Sequence, residues 1–587
     1  MDSALLEMLA DLPLATQRTW MAIALPGLWE ESPAEQEARL RAQLAQVDLD
    51  PWRARIIAGL LRECRLDQAI PERHAAFRPV VADGVTFLLE RLPQERLHDL
   101  LVAQWLLPPD IPPGERLVAL ATGLPTLWKL GQMIARRSGL DPALSRLLRR
   151  LEDGIRQTEA AVGRRRVEAG LAPWRDQYEF EIAETVLAEG SVGLVMPLRW
   201  RRRGRAEPWH EAVAKLVKPE AARRLPEEMA LLAEVARRLQ ARQTGYAIGR
   251  VDFPALFGEV RDGLARELDL AGEQGHLREA AAFYAGRAPG AVPVVLPFST
   301  AEMTVMSRLP GPKGAPGSVH PEDSEADPGQ FSSRLRADQA RQLFRLLILE
   351  PLFDEGEATV FHGDPHAGNM LWHESVDGHG RWGFLDWSQT GRLTRPQREA
   401  LVQLALAVMT EDASRATVCL QRLARPTAGA PALAAELVAA LMAESSGESG
   451  GAIPAEAGAR RMSWLGRAVE LVDGLLRRGV VFPRDLLLFR KALFTLDGVL
   501  LDLDPAFDAD VELGRFLAGL LLDELPGRWL DLATPWWDRP ARYRTLLSNL
   551  DLSLVWARLG RSAWQHAWRG FARTFPPPLL LPSPLMR

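Results

Sequence analysis

From the start of the chain to about residue 175, apolar residues recur at spacings of three and four, as in Leu-Leu-Val-Ala-Gln-Trp-Leu-Leu over 100–107. That period predicts helix after helix, each turning one face to a core, with breaks at proline-rich stretches such as 108–114. From about 178 the texture changes. Strand-like runs at 179–187 and 192–198 flank Glu-Gly-Ser-Val-Gly (189–193). An Arg-rich connector at 199–205 reads as a solvated hairpin tip, and a third run follows at 212–217. Helical stretches near 226–242 and 259–286 precede a strand pair at 292–296 and 303–307. Residues 310–329 are rich in proline, glycine and acid and read as a flexible connector. Short strands are expected at 359–361, 370–372 and 382–386, with a turn at 377–380. Helices fill the remainder, apart from a loose segment around 445–452.

Composition narrows the class. The 587 residues are 47% hydrophobic and 25% charged, ordinary globular values. A net charge of −5 argues against a general nucleic-acid binder. Two cysteines, Cys64 and Cys419, are too few for a disulfide framework or a zinc site, and point to a reducing cytoplasm. The first twenty residues lack the pattern of a secretory signal. No window reaches about 18 uninterrupted apolar residues, so a soluble or at most peripheral chain is expected.

Chemistry concentrates in the segment from Phe361 to Asp386, which reads FHGDPHAGNMLWHESVDGHGRWGFLD. Asp364 can orient or deprotonate an acceptor hydroxyl, and Asn369 with the strand-end Asp386 can hold Mg²⁺; together they have the layout of a kinase-type phosphoryl-transfer loop. An Asp-x₄-Asn pair alone carries little weight, and an Asp capping a turn is its bland alternative; His362, Gly363, His366 and Gly368 around it make the block specific. His362 is read as a packed scaffold residue. Such a site needs a cation on the nucleotide phosphates, and Lys215 in the run 212–217 fits, whereas Lys218 is read as an exposed strand-end charge. The loop 189–193 sits where a phosphate cover belongs: Gly190 and Gly193 would let backbone N–H groups approach phosphate and Ser191 could donate, although a plain hairpin turn explains the same residues. Glu267 and Glu273 are candidate partners for Lys215. On one continuous helix they cannot both face it, and Glu273 is favoured because it shares its face with Leu270 and Leu277.

At this point the residues resemble the UbiB/AarF/ADCK family of atypical kinases. Lys129, Gly131 and Gln132 in Leu-Trp-Lys-Leu-Gly-Gln (127–132) match that family's KxGQ signature, and Glu267 with Asp269 match its ExD signature. Lys215 matches the nucleotide lysine, His362 to Asn369 the HxDPHxGN loop, and Asp386 the DFG aspartate. The resemblance covers about residues 120 to 425. It implies an α+β, bilobal protein-kinase-like fold with an N-terminal helical KxGQ extension and a mostly helical C-terminal region. It also implies ATP and Mg²⁺ as cofactors, a link to isoprenoid-quinone or other lipid metabolism, and Lys129, Gln132, Glu267 and Asp269 set about the nucleotide site.

The domain boundaries expected are 1–115 for an N-terminal helical extension, 116–175 for the KxGQ-type element and 176–309 for a kinase-like small lobe. A connector at 310–332, a large lobe at 333–425 and a C-terminal helical region at 426–587 complete the chain.

The departures from the family are Glu-Gly-Ser-Val-Gly in place of an alanine-rich loop, Asp-Trp-Ser (386–388) in place of Asp-Phe-Gly, and no sign of the paired transmembrane helices of many bacterial members. Trp556, Trp564, Trp568 and Phe571, interleaved with Arg558, Arg561, Arg569 and Arg573, could lie on a bilayer; a helix packing its aromatic face on the large lobe is the preferred expectation. The function expected is an ATP- and Mg²⁺-dependent UbiB-like kinase or ATPase, cytoplasmic or peripheral at the inner membrane surface, whose partners are a nucleotide and a lipid or quinone-precursor small molecule, without nucleic acid. The alternatives are an aminoglycoside- or choline-type phosphotransferase, since His-Gly-Asp and Leu-Asp-Trp also suit that group, and a nucleotide-binding pseudokinase without turnover.

Overall fold

The computed structural model describes the chain from Leu9 to Ala557, apart from residues 26, 28–29, 67–69, 71, 125, 128–159, 191, 249–250, 288–289, 312–329, 375–379, 426–434, 441–462 and 533–536. The expectations for Lys129, Gly131, Gln132, Ser191, Trp564, Trp568 and Phe571, most of the connector, most of the 377–380 turn and the 445–452 segment concern residues outside this set. The chain divides into two units: Met1–Arg278 with Pro293–Leu309, and Glu279–Val292 with Pro310–Arg587.

The first unit begins with helices α1 (Leu14–Ala24), α2 (Pro33–Leu44), α3 (Arg53–Glu63), α4 (Arg78–Arg91), α5 (Gln94–Leu106) and α6 (Pro113–Thr122). Their apolar stripes meet in one core that includes Leu40, Ile57, Leu88, Leu97 and Leu101. The indole of Trp105 stays satisfied inside it by donating to Gln17 Oε1 at 2.8 Å. After α7 (Ala160–Leu171) come strands β1 (Tyr178–Ile182), β2 (Ala188–Glu189), β3 (Gly193–Arg202) and β4 (His210–Val217). Helices α8 (Pro219–Arg242), α9 (Phe253–Leu268) and α10 (Leu270–Tyr284) follow; the end of α10 and β5 (Gly290–Ala291) are counted in the second unit, and β6 (Met303–Ser307) in the first.

The sheet of this unit is antiparallel, in the order β1-β3-β4-β6 with β2 beside β3. Leu194, Met196, Leu198, Ala212, Ala214 and Leu216 join Val167 and Leu171 of α7 and Phe298 in a core on one face. Side chains alternate along a strand, so Lys215, in register with Val195 and Thr304, belongs to the opposite face.

Four expectations are corrected here. The stretch read as one helix over 259–286 is two helices that break at Asp269. Residues 292–296 form no strand; Pro293 lies within the stretch and Pro297 directly follows it, and its pairing is reduced to a bridge from Val295 to Met306. The Arg-rich connector is strand as far as Arg202, because Arg199 and Arg201 find cross-strand partners in Glu181 at 2.5 Å and Glu179 at 2.6 Å. Lys218 is not an exposed charge: it is 8% exposed and ion-paired with Glu189 at 2.7 Å.

In the second unit α11 (Gln330–Phe344) continues through a wider-turn stretch to Leu352. Then follow β7 (Ala358–His362), β8 (Met370–Glu374), β9 (Gly380–Phe384) and β10 (Thr390–Thr394). Two small sheets result, β10-β7 and β5-β9-β8. Helices α12 (Arg395–Thr410), α13 (Ala413–Leu423), α14 (Trp464–Arg477), α15 (Arg484–Leu503) and α16 (Ala509–Leu532) complete it. Among the described residues no helix is long and apolar enough to cross a membrane. Trp556 is 69% exposed, so this tryptophan does not pack as the preferred reading of the C-terminal aromatics held. Each unit combines helices with small sheets, so the architecture is α+β.

Candidate functional site

On the other face of the first unit's sheet, Lys215 Nζ lies 2.7 Å and 2.8 Å from the two carboxylate oxygens of Glu273. Glu273 is 3% exposed, in the first turn of α10, and it turns inward with Leu270 and Leu277, each 1% exposed. Helical spacing therefore buries the glutamate, and the lysine supplies the charge that its burial requires. The start of α10 is fixed by Asp269, whose Oδ1 accepts from Gly272 N at 2.8 Å while its carbonyl accepts from Glu273 N at 3.0 Å. Asp269 thus acts as the cap of the helix that carries Glu273. Glu267 sits in the last turn of the preceding helix, α9. The neighbouring Gln274, 6% exposed, ties α10 to the sheet by donating to Thr300 O at 2.7 Å and Thr304 Oγ1 at 3.1 Å.

The loop over this face is pinned. Gly190 N donates to Gly193 O at 2.8 Å and Lys218 N to Val192 O at 2.7 Å, while Glu189 beneath the loop holds the Lys218 ammonium. Burial pulls the pKa of Lys218 below its ordinary value, against the opposing pull of Glu189. Gly193 lies close over Lys215: a Cβ placed on it would come within 3.9 Å of Lys215 Cε.

The acidic loop belongs to the second unit. Asp364 is 6% exposed, and its N–H donates to His362 Nδ1 at 3.1 Å. The other ring nitrogen of His362 lies 2.8 Å from Leu385 O, which fixes it as the donor and the imidazole as neutral. Complete burial pushes the His362 pKa below its ordinary value in the same sense. The histidine is therefore a brace between the loop and the strand end, as a scaffold role requires. Asn369 Nδ2 donates to Asp364 O at 3.2 Å, which leaves its Oδ1 for a ligand. Leu385 N donates to Asn369 O at 2.8 Å, so the end of β9 that leads into Asp386 is bonded directly to Asn369.

Asp386 has φ of +52°, a left-handed conformation that is uncommon for a non-glycine residue. Ser388 N donates to its Oδ1 at 3.2 Å, and Trp387 between them is fully buried, with its indole donating to Phe384 O at 3.1 Å and lying edge-on to His362 at 4.8 Å. In Asp-Trp-Ser the tryptophan thus locks the turn. Asn369 Oδ1 and the Asp386 carboxylate are hard oxygen donors of the kind Mg²⁺ prefers. Among the described residues no cluster of three or more His, Cys, Asp or Glu side chains is arranged to hold a metal.

One neighbour escaped the sequence reading. Lys491 of α15 places Nζ 3.1 Å from Asp364 Oδ1 and 2.8 Å from Gln389 Oε1. No local pattern marks this lysine; it is one of many charges on a long helix. Its approach depends on Gly363, where a Cβ would sit 2.7 Å from both Gln389 O and Leu488 Cδ2. Phe489 adds an edge-on contact with Phe361 at 5.3 Å, so α15 is seated directly on the loop.

Residues 168–419 match the model of the ABC1 atypical kinase-like domain. A protein from Vibrio atlanticus named as a probable protein kinase UbiB is 23% identical over 354 residues, covering 60% of this chain and 58% of that protein. Its namesake from Edwardsiella ictaluri is 27% identical over 319 residues, covering 52% and 53%. The chain thus spans about half the length of the curated relatives it matches. A solved Mycobacterium tuberculosis protein in complex with erythromycin is 16% identical and covers 67% of this chain and 87% of its own, with a TM-score of 0.37. The matched segment holds Lys215, Glu273, Asp364, Asn369 and Asp386, and over that segment the chain is similar to the ABC1/UbiB group of atypical, protein-kinase-like proteins.

Proposed function

We propose that this protein is an ATP- and Mg²⁺-dependent UbiB-like kinase or ATPase that supports isoprenoid-quinone or other lipid metabolism rather than phosphorylating proteins. The observation that carries the reading is the two-oxygen hold of buried Glu273 on Lys215, the strand-and-helix pair that kinases use to place a cation on nucleotide phosphates. In this reading Lys215 holds the phosphates, with the backbone of Gly190 and Gly193 above them. Asn369 and Asp386 hold Mg²⁺, which when bound neutralises charge on the phosphates. Asp364 positions the acceptor and takes its proton. Lys129, Gln132 and Glu267 contribute to the nucleotide site, and Asp269 contributes by capping the helix of Glu273. Such catalysis is mostly positioning and electrostatics.

The test is ATP turnover by the purified chain with Mg²⁺ and a panel of lipid and phenol activators. D386N should lower it by about 10²-fold or more, the scale of losing one electrostatic contact to the reacting group; unchanged turnover refutes the metal assignment. Phosphorylation of a soluble alcohol or amino sugar would mark a small-molecule phosphotransferase instead. Thermal stabilisation by ATP without hydrolysis under any activator would mark a pseudokinase.

A further inference from the structure

The loop from His362 to Asn369 contains no lysine or arginine. Its potential cations are two histidines: His362, held neutral by burial between a backbone donor and a backbone acceptor, and His366, whose Nδ1 accepts from Gly368 N at 3.1 Å and whose Nε2 lies 3.9 Å from Asp364 Oδ2, a cation there only when protonated. Phosphoryl transfer develops negative charge on the oxygens of the moving group beside the residue that receives the acceptor's proton, so a positive charge is needed next to Asp364. Lys491 provides one. It arrives from outside the segment that matches the family model, residues 168–419.

Its setting is that of a ligand-binding cation rather than of a sealed structural one. The side chain is 42% exposed, against 9% for Lys218 in its ion pair with Glu189. An ammonium has three N–H donors, and Asp364 and Gln389 account for two. Gln389 is itself 8% exposed, and its backbone oxygen accepts from Gly363 N at 2.7 Å. The amide that orients Lys491 is therefore built into the acidic loop.

We propose that Lys491 is a catalytic residue of the phosphoryl-transfer site, its ammonium taking the oxygens of the phosphoryl group in transit while Asp364 takes the acceptor's proton. This rests on the function proposed above and adds to it a residue contributed by the C-terminal helical region. In the step, an acceptor hydroxyl or water oxygen bonds to the γ-phosphorus of a nucleoside triphosphate. The acceptor's O–H bond breaks, with the proton passing to the Asp364 carboxylate. The bond from phosphorus to the β,γ-bridging oxygen breaks, and its electron pair leaves with the nucleoside diphosphate. Lys491 exchanges no proton; it moves its third donor, and part of its hold on Asp364, onto the departing phosphoryl oxygens.

Two measurements on the full chain test this: steady-state ATP turnover, and calorimetric binding of Mg·ADP with and without aluminium fluoride, which mimics a planar phosphoryl group. K491Q should bind Mg·ADP within about twofold of wild type, lose most of the tightening that aluminium fluoride confers, and lower kcat by about 10²-fold or more with KM for ATP little changed. K491R, which keeps the charge, should recover part of both. A K491Q protein that tightens on aluminium fluoride as wild type does, or keeps kcat within about threefold, overturns the proposal. If wild type itself neither turns over ATP nor tightens, the function proposed above fails and this role with it. If wild type does both and K491Q matches it, this role alone fails. A lysine that merely stabilised the loop would lower the melting temperature and leave the aluminium fluoride response intact.

Discussion

In the first unit, lysines meet their carboxylates within one strand and the elements packed on it; in the second, the lysine beside Asp364 comes from a helix far along the chain. Lys215 and Lys218 are three residues apart, yet one is paired with Glu273 and the other with Glu189. Glu189 is shut away completely and Lys218 nearly so, whereas Lys215 keeps 16% exposure and Lys491 keeps 42%. Pairing alone does not mark a functional cation. What separates the three is how much of the ammonium a ligand could still reach.

The sharpest way to break this contrast is at the open pair. D364N should reduce phosphoryl transfer by about 10²- to 10⁴-fold, the range for removing a general base, measured as single-turnover ATP consumption; a smaller loss would make Asp364 a structural partner of Lys491. At the sealed pair the expected damage is to folding. K218M leaves Glu189 buried without its counter-charge and should cost about 3–5 kcal/mol in urea unfolding, and the double change K218M/E189L should recover much of it. A midpoint that does not move would remove Lys218 from the sealed class.

A smaller effect is expected where the second unit joins its distant segments. G363A pushes a methyl onto Gln389 O and Leu488 and should cost about 1–3 kcal/mol in the same unfolding assay. The smallest concerns pH. The pKa of His362 is held below its ordinary 6.5 by burial, so the unfolded chain binds a proton there that the folded chain refuses. Its contribution to stability is therefore complete above pH 6.5 and falls away as the pH drops towards the folded value. H362Q should flatten the decline in melting temperature across that acid range; an unchanged slope would assign the decline to other groups.

Much of this was legible because the signals are local. The alternation of β4 placed Lys215 on a face, and the spacing of Leu270, Glu273 and Leu277 turned the glutamate inward even though the helix was read as too long. The acidic block announced itself through residue types that few other sites require together. What stayed hidden lies in contacts between remote segments. Lys218 looked like a solvated strand end because nothing around it names Glu189, which reaches it only through the hairpin of β2 and β3. Lys491 is one basic residue on a long helix, and only the packing of Leu488 against Gly363 brings it to Asp364. The strand expected at 292–296 failed for a simpler reason: its prolines remove ladder donors.

The tie from Gln274 to Thr300 and Thr304 has a consequence for control. Swinging the front of α10 outward would strand one buried acceptor, Thr304 Oγ1, and the buried Gln274 amide, at a cost of about 1–3 kcal/mol for each unmet group. The engaged position of Glu273 is thereby the resting one. The hold of Glu273 on Lys215 is therefore built into the fold of its unit, and in the reading proposed above it needs no separate step to form.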